Sequence, residues 1–139
     1  MDYYSDLFII PASISSPNLS EFASVDFIID TGSSRTTIND KDVSRLQINY
    51  NDLKPSAEQY YGVGGTNVKS YELLDCKLLF IDDDNNERLE ELKCVLVNQH
   101  DFKSENEKKM MMQFQSLLGL DILKKYRIRF SNYTAFLED

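Results

Sequence analysis

The chain has 139 residues, enough for one domain, and we predict a single domain over residues 1–139. Apolar residues make up 42% and charged residues 27%, which is typical of a globular rather than a disordered chain. The formal net charge of −8 disfavours nucleic acid and anionic membrane partners, because phosphate groups bind to concentrated positive charge.

The sequence also bears on location and on covalent cross-links. No apolar run approaches the roughly 20 residues that cross a bilayer. The first residues are acidic, whereas the start of a secretory signal is basic. Two cysteines, Cys76 and Cys94, are too few for a disulfide scaffold. We therefore expect a cytoplasmic protein with no membrane partner.

Hydrophobic patterning predicts mostly strands in the first half of the chain. Apolar and β-branched runs favour strands at residues 7–14, 22–29 and 36–38. Asn39 or Asp40 then reads as the N-cap of a short helix that ends near Leu46. Residues 60–61 and 67–71 flank a glycine cluster, as the arms of a hairpin do.

The second half continues the pattern. The alternation over residues 71–81 is imperfect. One face of the predicted strand carries Leu74, Cys76, Leu78 and Phe80 and the other carries Leu73, Leu79 and Ile81, so we expect both faces to be partly covered. A polar turn at 82–87 and a returning strand at 94–97 follow. Ser104 and Glu107 have the spacing of a capping box and predict a helix start. A short helix is expected at 122–126, before two strands around the Ser131-Asn132 turn. The elements predict an all-β fold with two or three small helices.

One carboxylate stands out as a candidate for chemistry. An apolar strand over residues 27–29 delivers Asp30 to a tight turn that contains Thr31, Gly32 and Ser33. Glycine permits a close backbone approach, and the Ser33 hydroxyl can donate a hydrogen bond to a carboxylate oxygen. The segment thus holds one carboxylate rigidly at the end of a strand.

Two further segments have features of a site. A glycine-rich hairpin tip suits a segment that lies over an extended peptide; its residues are Tyr61, Gly62, Val63, Gly64 and Gly65. The second is an apolar strand that runs into a turn and a helix through Leu117, Leu118, Gly119, Leu120 and Asp121. Taken alone, each is also an ordinary structural element, a glycine-rich β-turn and a strand–turn–helix joint.

In this order, the three segments resemble the retropepsin-like family of aspartic proteases. The resemblance spans most of the chain, from residue 7 to residue 137. It implies a closed β-barrel of the acid-protease type with one or two short helices. It also implies catalysis by Asp30, supported by Thr31, Gly32 and Ser33, and a substrate-binding flap at residues 61–65. Leu118, Gly119 and Asp121 would form the family's second strand–turn–helix motif.

The resemblance also implies how a chain with one such motif would work. Two chains would pair about a two-fold axis, so that each contributes one Asp30 to a shared dyad. The expected activity is hydrolysis of an extended polypeptide by an activated water, with no metal and no cofactor. A dimer with twice the −8 charge repels itself near neutral pH, so salt or mild acid should favour assembly.

Two departures from the viral members keep an alternative open. Viral members usually carry an acidic residue where Ser34 stands and an arginine where Leu120 stands, and this ion pair braces their dimer. The chain has neither residue. The alternative is a catalytically silent dimer of the same fold that binds peptides or serves assembly; a third reading is a monomeric β-domain unrelated to proteolysis.

Other motifs favour structural interpretations. The acidic run at residues 82–86 resembles part of a calcium-binding loop, but it lacks the glycine and the glutamate that such a loop needs. It therefore predicts a solvated turn. Cys76 and His100 could suggest a thiol nucleophile with its base, but nothing in the sequence places them together. We expect His100 at the surface. The methionines at 110–112 are expected to cover the core or, as an alternative, to contact a partner.

Overall fold

The computed structural model describes residues 8–56, 60–61, 67–131 and 134–138. Within these ranges the chain forms ten β-strands, three short α-helices and one turn of 3₁₀ helix at Tyr50–Asp52. The strands are β1 (Ile9–Ser15), β2 (Ala23–Ile29), β3 (Thr37–Ile38), β4 (Lys54–Pro55), β5 (Tyr60–Tyr61), β6 (Asn67–Ile81), β7 (Glu87–His100), β8 (Ser116–Leu118), β9 (Arg127–Ser131) and β10 (Thr134–Glu138). The helices are α1 (Asp40–Arg45), α2 (Glu105–Met111) and α3 (Leu120–Leu123).

Six strands form a closed barrel in the order β1-β2-β8-β3-β7-β6. The barrel closes where β6 returns to β1, with Ser13 opposite Leu79 and Ile14 opposite Leu78. β4 and β5 pair with the first part of β6, and β9 and β10 form a separate antiparallel pair. This architecture confirms the all-β prediction. In the described ranges, no helix is long and apolar enough to cross a membrane.

The barrel interior is built from alternating strand positions. In β1, Ile10, Ala12 and Ile14 are buried while the positions between them are not. In β2, Val25 and Phe27 face the same interior. Each large apolar side chain that is fully buried contributes roughly 1.5–3 kcal/mol relative to exposure, so this shared core is the main stabilising term.

The imperfect alternation of β6 has a local backbone cause. Asp75 has a φ of 52°, in the left-handed region, which is uncommon for a residue other than glycine. Leu73 and Cys76, three positions apart on either side of Asp75, are both buried, whereas Leu74 is 43% exposed. The strand therefore changes the face that it presents to the core at Asp75, and the expectation that Leu74 and Cys76 share a face is wrong.

Two predicted boundaries need correction. β7 begins at residue 87, well before the predicted 94, because it pairs with β6 along almost its full length. α3 begins at Leu120 rather than at 122, because the extended backbone of Gly119 ends β8 and acts as its N-cap. By contrast, the predicted helix start is confirmed at α2, where Ser104 is the N-cap and its hydroxyl accepts from the Glu107 N–H at 3.1 Å.

The C-terminal hairpin packs against the barrel. Ala135 and Leu137 of β10 are buried, and Leu137 belongs to the main apolar core. The rings of Phe8 and Phe130 lie 4.5 Å apart between centroids, which fixes β9 near the start of β1. The predicted pair of terminal strands is confirmed; residues 132–133 of the turn lie outside the described residues.

Parallel pairing of β2 with β8 positions the candidate site. Phe27 lies opposite Ser116, and Ile29 lies opposite Leu118. Because parallel strands end at the same edge, the turn after β2 and the turn after β8 emerge side by side. Two of the three segments predicted from the sequence are thus brought together.

Candidate active site

Asp30 lies at the end of β2, where the parallel pairing with β8 continues for one more bond. Its backbone N–H donates to the Leu118 carbonyl at 3.1 Å. Its carboxylate oxygen Oδ1 accepts from the Gly32 N–H at 2.9 Å, and its carbonyl accepts from the Ser33 N–H at 3.2 Å. The turn therefore fixes both the backbone and one carboxylate oxygen of Asp30.

A steric constraint explains why position 32 of this turn is glycine. A Cβ at position 32 would lie 3.1 Å from Asp30 Oδ1, tighter than an ordinary van der Waals contact. The Ser33 hydroxyl, which we expected to donate to the carboxylate, instead donates to the Arg35 carbonyl at 2.7 Å. The donor to Asp30 is therefore the Gly32 backbone, because the Ser33 side chain is used to brace the next turn.

The strand–turn–helix motif supports the loop after Asp30 from behind. Gly119 packs so closely on this loop that an added Cβ would lie 2.5 Å from the Arg35 carbonyl carbon. The Asp121 carboxylate accepts from the Thr36 N–H at 2.9 and 3.1 Å and from its hydroxyl at 2.7 Å. The Thr36 hydroxyl in turn accepts from the Gly119 N–H at 3.2 Å. The second motif thus acts as a clasp on the loop that carries the candidate catalytic residue.

Asp30 lies on the wall of an open cavity of about 260 Å³. The described residues that line it are Asp30, Gly32, Ser33, Ser34, Arg35, Thr37, Leu96, Asn98 and Leu117. Among these residues, Asp30 is the one with an acidic side chain and Arg35 the one with a basic side chain. A lone carboxylate can accept a proton or hold a water, but it cannot be base and acid at once.

A buried polar network beside this cavity was not predicted from the sequence. The Ser116 hydroxyl donates to the buried Asp42 carboxylate at 2.6 Å and accepts from the Asn39 N–H at 3.1 Å. The Asn39 side chain donates to the Gln115 carbonyl at 2.8 Å and accepts from the Asn98 amide at 3.2 Å. The network joins α1 to β7 and β8. In the sequence, the only signal of this network is a polar residue beside an apolar strand run, such as Ser116. Such a residue does not identify its hydrogen-bond partner.

The flap falls largely outside the described residues. Tyr61 ends β5, where it pairs with Asn67 at the start of β6, so the predicted arms of the hairpin are confirmed. Gly62, Val63, Gly64 and Gly65 lie outside the described residues. Their role as a flap stays a prediction.

The thiol alternative does not fit the structure. Cys76 is buried, and burial raises the pKa of its thiol to about 12. A thiol with such a pKa is almost entirely protonated at neutral pH and is a poor nucleophile. His100 is engaged elsewhere, so Cys76 and His100 do not form a catalytic pair.

The expectation that His100 lies at the surface is wrong. Its side chain is only 10% exposed, and Nδ1 lies 2.5 Å from Asp40 Oδ1. Its backbone N–H donates to the other Asp40 oxygen at 3.1 Å. The pair fixes the end of β7 to the first residue of α1, a contact across 60 positions of the sequence that local composition does not reveal.

The acidic run forms the predicted polar turn. The Asp82 carboxylate accepts from the Asp84 and Asn86 N–H groups and from Arg88 Nε, at 2.8–3.0 Å.

Among the methionines at 110–112, Met110 is 58% exposed, so the expectation that the run covers the core is wrong for this residue.

These features agree with the comparisons to known proteins. A family model described as aspartyl protease matches residues 18–122, well over half of the chain. The chain belongs to the aspartyl protease family, and its fold is retropepsin-like. No curated protein is similar enough in sequence to be matched to it.

Two solved structures illustrate the fold. A retropepsin-like aspartic protease from Rickettsia conorii is 17% identical, with a TM-score of 0.51, over 94% of this chain and 88% of that one. The retroviral protease-like domain of Ddi1 from Leishmania major is 13% identical, with a TM-score of 0.50, over 90% of this chain and 81% of that one. At these identities, the likeness establishes the fold alone.

Proposed function

We propose that the chain is an aspartic endopeptidase that hydrolyses peptide bonds of an extended polypeptide as a homodimer. The observation that carries the proposal is the placement of Asp30, a carboxylate clamped by the Gly32 N–H on the wall of an open cavity. Family membership supports the same chemistry.

The need for two chains follows from the chemistry. Metal-free hydrolysis through a water requires a base to activate that water and an acid to protonate the scissile carbonyl. Two carboxylates about 3 Å apart share one proton and supply both functions, because like charges this close cannot both remain ionised. Since the cavity of one chain contains a single acid among its described lining residues, the second would be Asp30 of another copy. The pair would titrate as a unit.

Neighbouring residues have defined parts in this proposal. Thr31, which is exposed beside Asp30, would contact its counterpart across the two-fold axis. The hairpins from Tyr61 to Gly65 of both chains would close over the shared substrate and exclude water. The substrate backbone would be held in extended form, while apolar lining residues such as Leu96 and Leu117 would set side-chain preference. No metal or cofactor is part of this mechanism.

One observation favours a second candidate function. Ser34 and Leu120 stand where viral members place the ion pair that braces their dimer, and Leu120 is 38% exposed. A weaker brace suits a dimer of this fold that binds peptides or serves assembly without turnover.

Cleavage of a diverse peptide mixture by the wild type and by Asp30→Asn, from pH ~4 to ~7, tests the proposal. The substitution replaces one carboxylate oxygen with an NH2 group and nearly preserves the shape of the side chain. Asp84→Asn is the matched control, since it makes the same change in the exposed turn between β6 and β7.

We expect cleavage by the wild type and by the control, and a loss of at least about 10³-fold in the Asp30→Asn variant. Equal cleavage by all three chains would refute the mechanism. Peptide binding without cleavage by any chain, in samples shown to be dimeric by sedimentation, would favour the silent binding module.

A further inference from the structure

We propose that the carboxamide of Asn98 donates a hydrogen bond to the substrate in the cavity beside Asp30. The cavity then prefers a long substrate side chain that ends in an acceptor oxygen, such as the side chain of glutamine. This preference rests on the proposed function, because it belongs to the same site. Asn98 is half-buried and lines the cavity together with Asp30.

Contacts on two sides fix the orientation of the Asn98 side chain. Asn39 Nδ2 donates to the Gln115 carbonyl at 2.8 Å, so Asn39 Oδ1 is the atom that faces Asn98. An amide oxygen needs a donor, and Asn98 therefore presents its Nδ2 to Asn39, at 3.2 Å. The Asn98 oxygen lies on the other side, where it accepts from the Ser70 hydroxyl at 2.8 Å. These contacts hold the side chain itself, and not only the backbone, in one place on the cavity wall.

One of the two N–H groups of the Asn98 amide remains for a ligand. A carboxamide carries two N–H donors that point in different directions, and Asn39 accepts from one of them. Among the residues that the structure describes, no acceptor contacts the second. Because Ser70 and Asn39 flank Asn98 on the two neighbouring strands, the open side of the amide is the cavity.

Two of the three hydroxyl groups on the same wall are already used as donors. The Ser33 and Thr37 hydroxyls both donate to the Arg35 carbonyl, at 2.7 and 3.1 Å. The third belongs to Ser34, which is exposed. The Asn98 amide is already oriented, so it loses little conformational freedom when it binds a ligand. It is therefore better suited to recognition than an exposed hydroxyl.

The position of Asn98 determines which part of a substrate it contacts. In the strand order β2-β8-β3-β7, three strand steps separate the strand that precedes Asp30 from the strand that carries Asn98. At about 4.8 Å per step, this is roughly 14 Å, too far for the peptide bond that is cleaved at Asp30. Leu117 and Leu96 line the same cavity, so an apolar stem can pack on them while its polar end reaches Asn98. Glutamine has such a stem and an oxygen at its end.

Paired peptides that differ only by Gln or Met test this preference, because the two side chains have nearly the same length and only Gln ends in an oxygen. In a peptide that the protein cleaves, the pair is placed at each position near the cleaved bond in turn. The ratio of kcat/KM for Gln over Met is measured in the wild type, in Asn98→Leu and in Asn98→Ala. The alanine variant covers the case in which leucine prevents folding, because water can then pair with Ser70 and Asn39.

Ser70→Ala is the matched control. It removes one hydrogen bond of the same Asn98 side chain from a buried position that does not line the cavity, and it leaves the Asn98 N–H groups in place. An effect that comes only from weakening the hydrogen-bond network should therefore appear in this variant as well. The ratio within one variant cancels any common effect of the substitution on activity.

We expect the wild type and Ser70→Ala to prefer the Gln peptide roughly fivefold at one position, as one hydrogen bond between neutral groups allows. The preference should vanish in Asn98→Leu and in Asn98→Ala. Because neither Gln nor Met ionises, the wild-type ratio should stay constant from pH ~4 to ~7 while the rate itself varies. Cleavage by the wild type without a preference for Gln at any position would overturn the inference and leave the proposed function standing. A preference that persists in the Asn98 variants, or that changes with pH, would overturn it too.

A binding measurement separates the inference from the proposed function if no peptide is cleaved. Peptides that the wild type retains from a diverse mixture are titrated calorimetrically in their Gln and Met forms, which needs no turnover. A roughly fivefold tighter Gln complex that persists in Ser70→Ala and is lost in Asn98→Ala would support the inference while the endopeptidase proposal fails. The absence of any retained peptide, or equal affinity for both forms, would overturn it.

Discussion

The carboxylate of Asp121 binds Thr36 through both its N–H and its hydroxyl, across 85 positions of the sequence. The contact joins the first turn of α3 to the loop that follows Asp30. Both donors of Thr36 are therefore paired with Asp121, and the Thr36 hydroxyl oxygen also accepts from the Gly119 N–H. The position of the candidate catalytic carboxylate therefore depends on residues at the far end of the chain.

Removal of this clasp should destabilise the fold. In Asp121→Ala, the Thr36 N–H and hydroxyl lose their acceptor, and we expect the free energy of unfolding to fall by about 2 kcal/mol. Asp121→Asn, which keeps one acceptor oxygen, should lie between this variant and the wild type. Urea denaturation at pH 7 measures the order. Asp84→Ala, in an exposed turn, serves as the control and should change stability by less than about 0.5 kcal/mol; an equally small effect of Asp121→Ala would contradict the role of the clasp.

The two glycines of the site should respond differently to the same substitution. In Gly119→Ala, the new Cβ would lie 2.5 Å from a backbone carbon, so we expect a loss of about 1–3 kcal/mol in unfolding free energy. In Gly32→Ala, the new Cβ would press on Asp30 Oδ1 from 3.1 Å, so the carboxylate must shift. There we expect a smaller stability loss and a larger loss of peptide cleavage. Denaturation and kcat/KM measured on both variants would reveal this division, and a Gly119→Ala chain as stable as the wild type would count against the close packing.

The turn between β6 and β7 should make stability depend on pH. A hydrogen bond from Arg88, with the Asn86 N–H, holds the pKa of Asp82 below its ordinary value of 3.8. The stability that the Asp82 carboxylate contributes is therefore fully present above the unfolded pKa and lost as the pH falls through the folded one. We expect the difference in unfolding free energy between the wild type and Asp82→Asn to shrink from pH ~5 to pH ~2.

Asp83 provides a control of opposite sign for that experiment. Burial, with the nearby Asp84 charge, raises the pKa of Asp83. Its charged form costs stability in the folded chain, so Asp83→Asn should be more stable than the wild type at neutral pH and lose this advantage in acid. Urea denaturation from pH 2.5 to 7 measures both variants. Differences that do not vary with pH would show that the two carboxyl groups titrate alike in the folded and unfolded chains.

Local patterns in the sequence predict much of the fold because each depends on neighbouring residues. The apolar run before Asp30, the Ser104 capping box and the arms around residues 62–66 all have short-range physical causes, and the structure contains the corresponding strands and helix. The clasp residues Gly119 and Asp121 were identified by their order relative to Asp30. Their contacts with Arg35 and Thr36 were not, because pairing across a barrel is a property of the whole topology.

The sequence misled where a polar side chain has a distant partner. His100 sits among polar neighbours, which predicts exposure, yet Asp40 buries it through a contact 60 positions away. Leu74 fits an alternating strand, yet the positive φ of Asp75 turns it outward. The Ser33 hydroxyl is a sensible donor to Asp30 by proximity, but the turn directs it to the Arg35 carbonyl.

Mixing of wild-type and Asp30→Asn chains tests most directly whether activity depends on one carboxylate from each of two chains. After equal amounts have exchanged subunits, about one quarter of the dimers contain two intact Asp30 residues and about half are mixed. If both carboxylates are required, cleavage per wild-type chain falls to about half of its unmixed value and declines further as the variant is added in excess. Cleavage per wild-type chain that stays constant at every ratio, in samples shown to exchange, would mean that one chain suffices and would contradict the shared dyad.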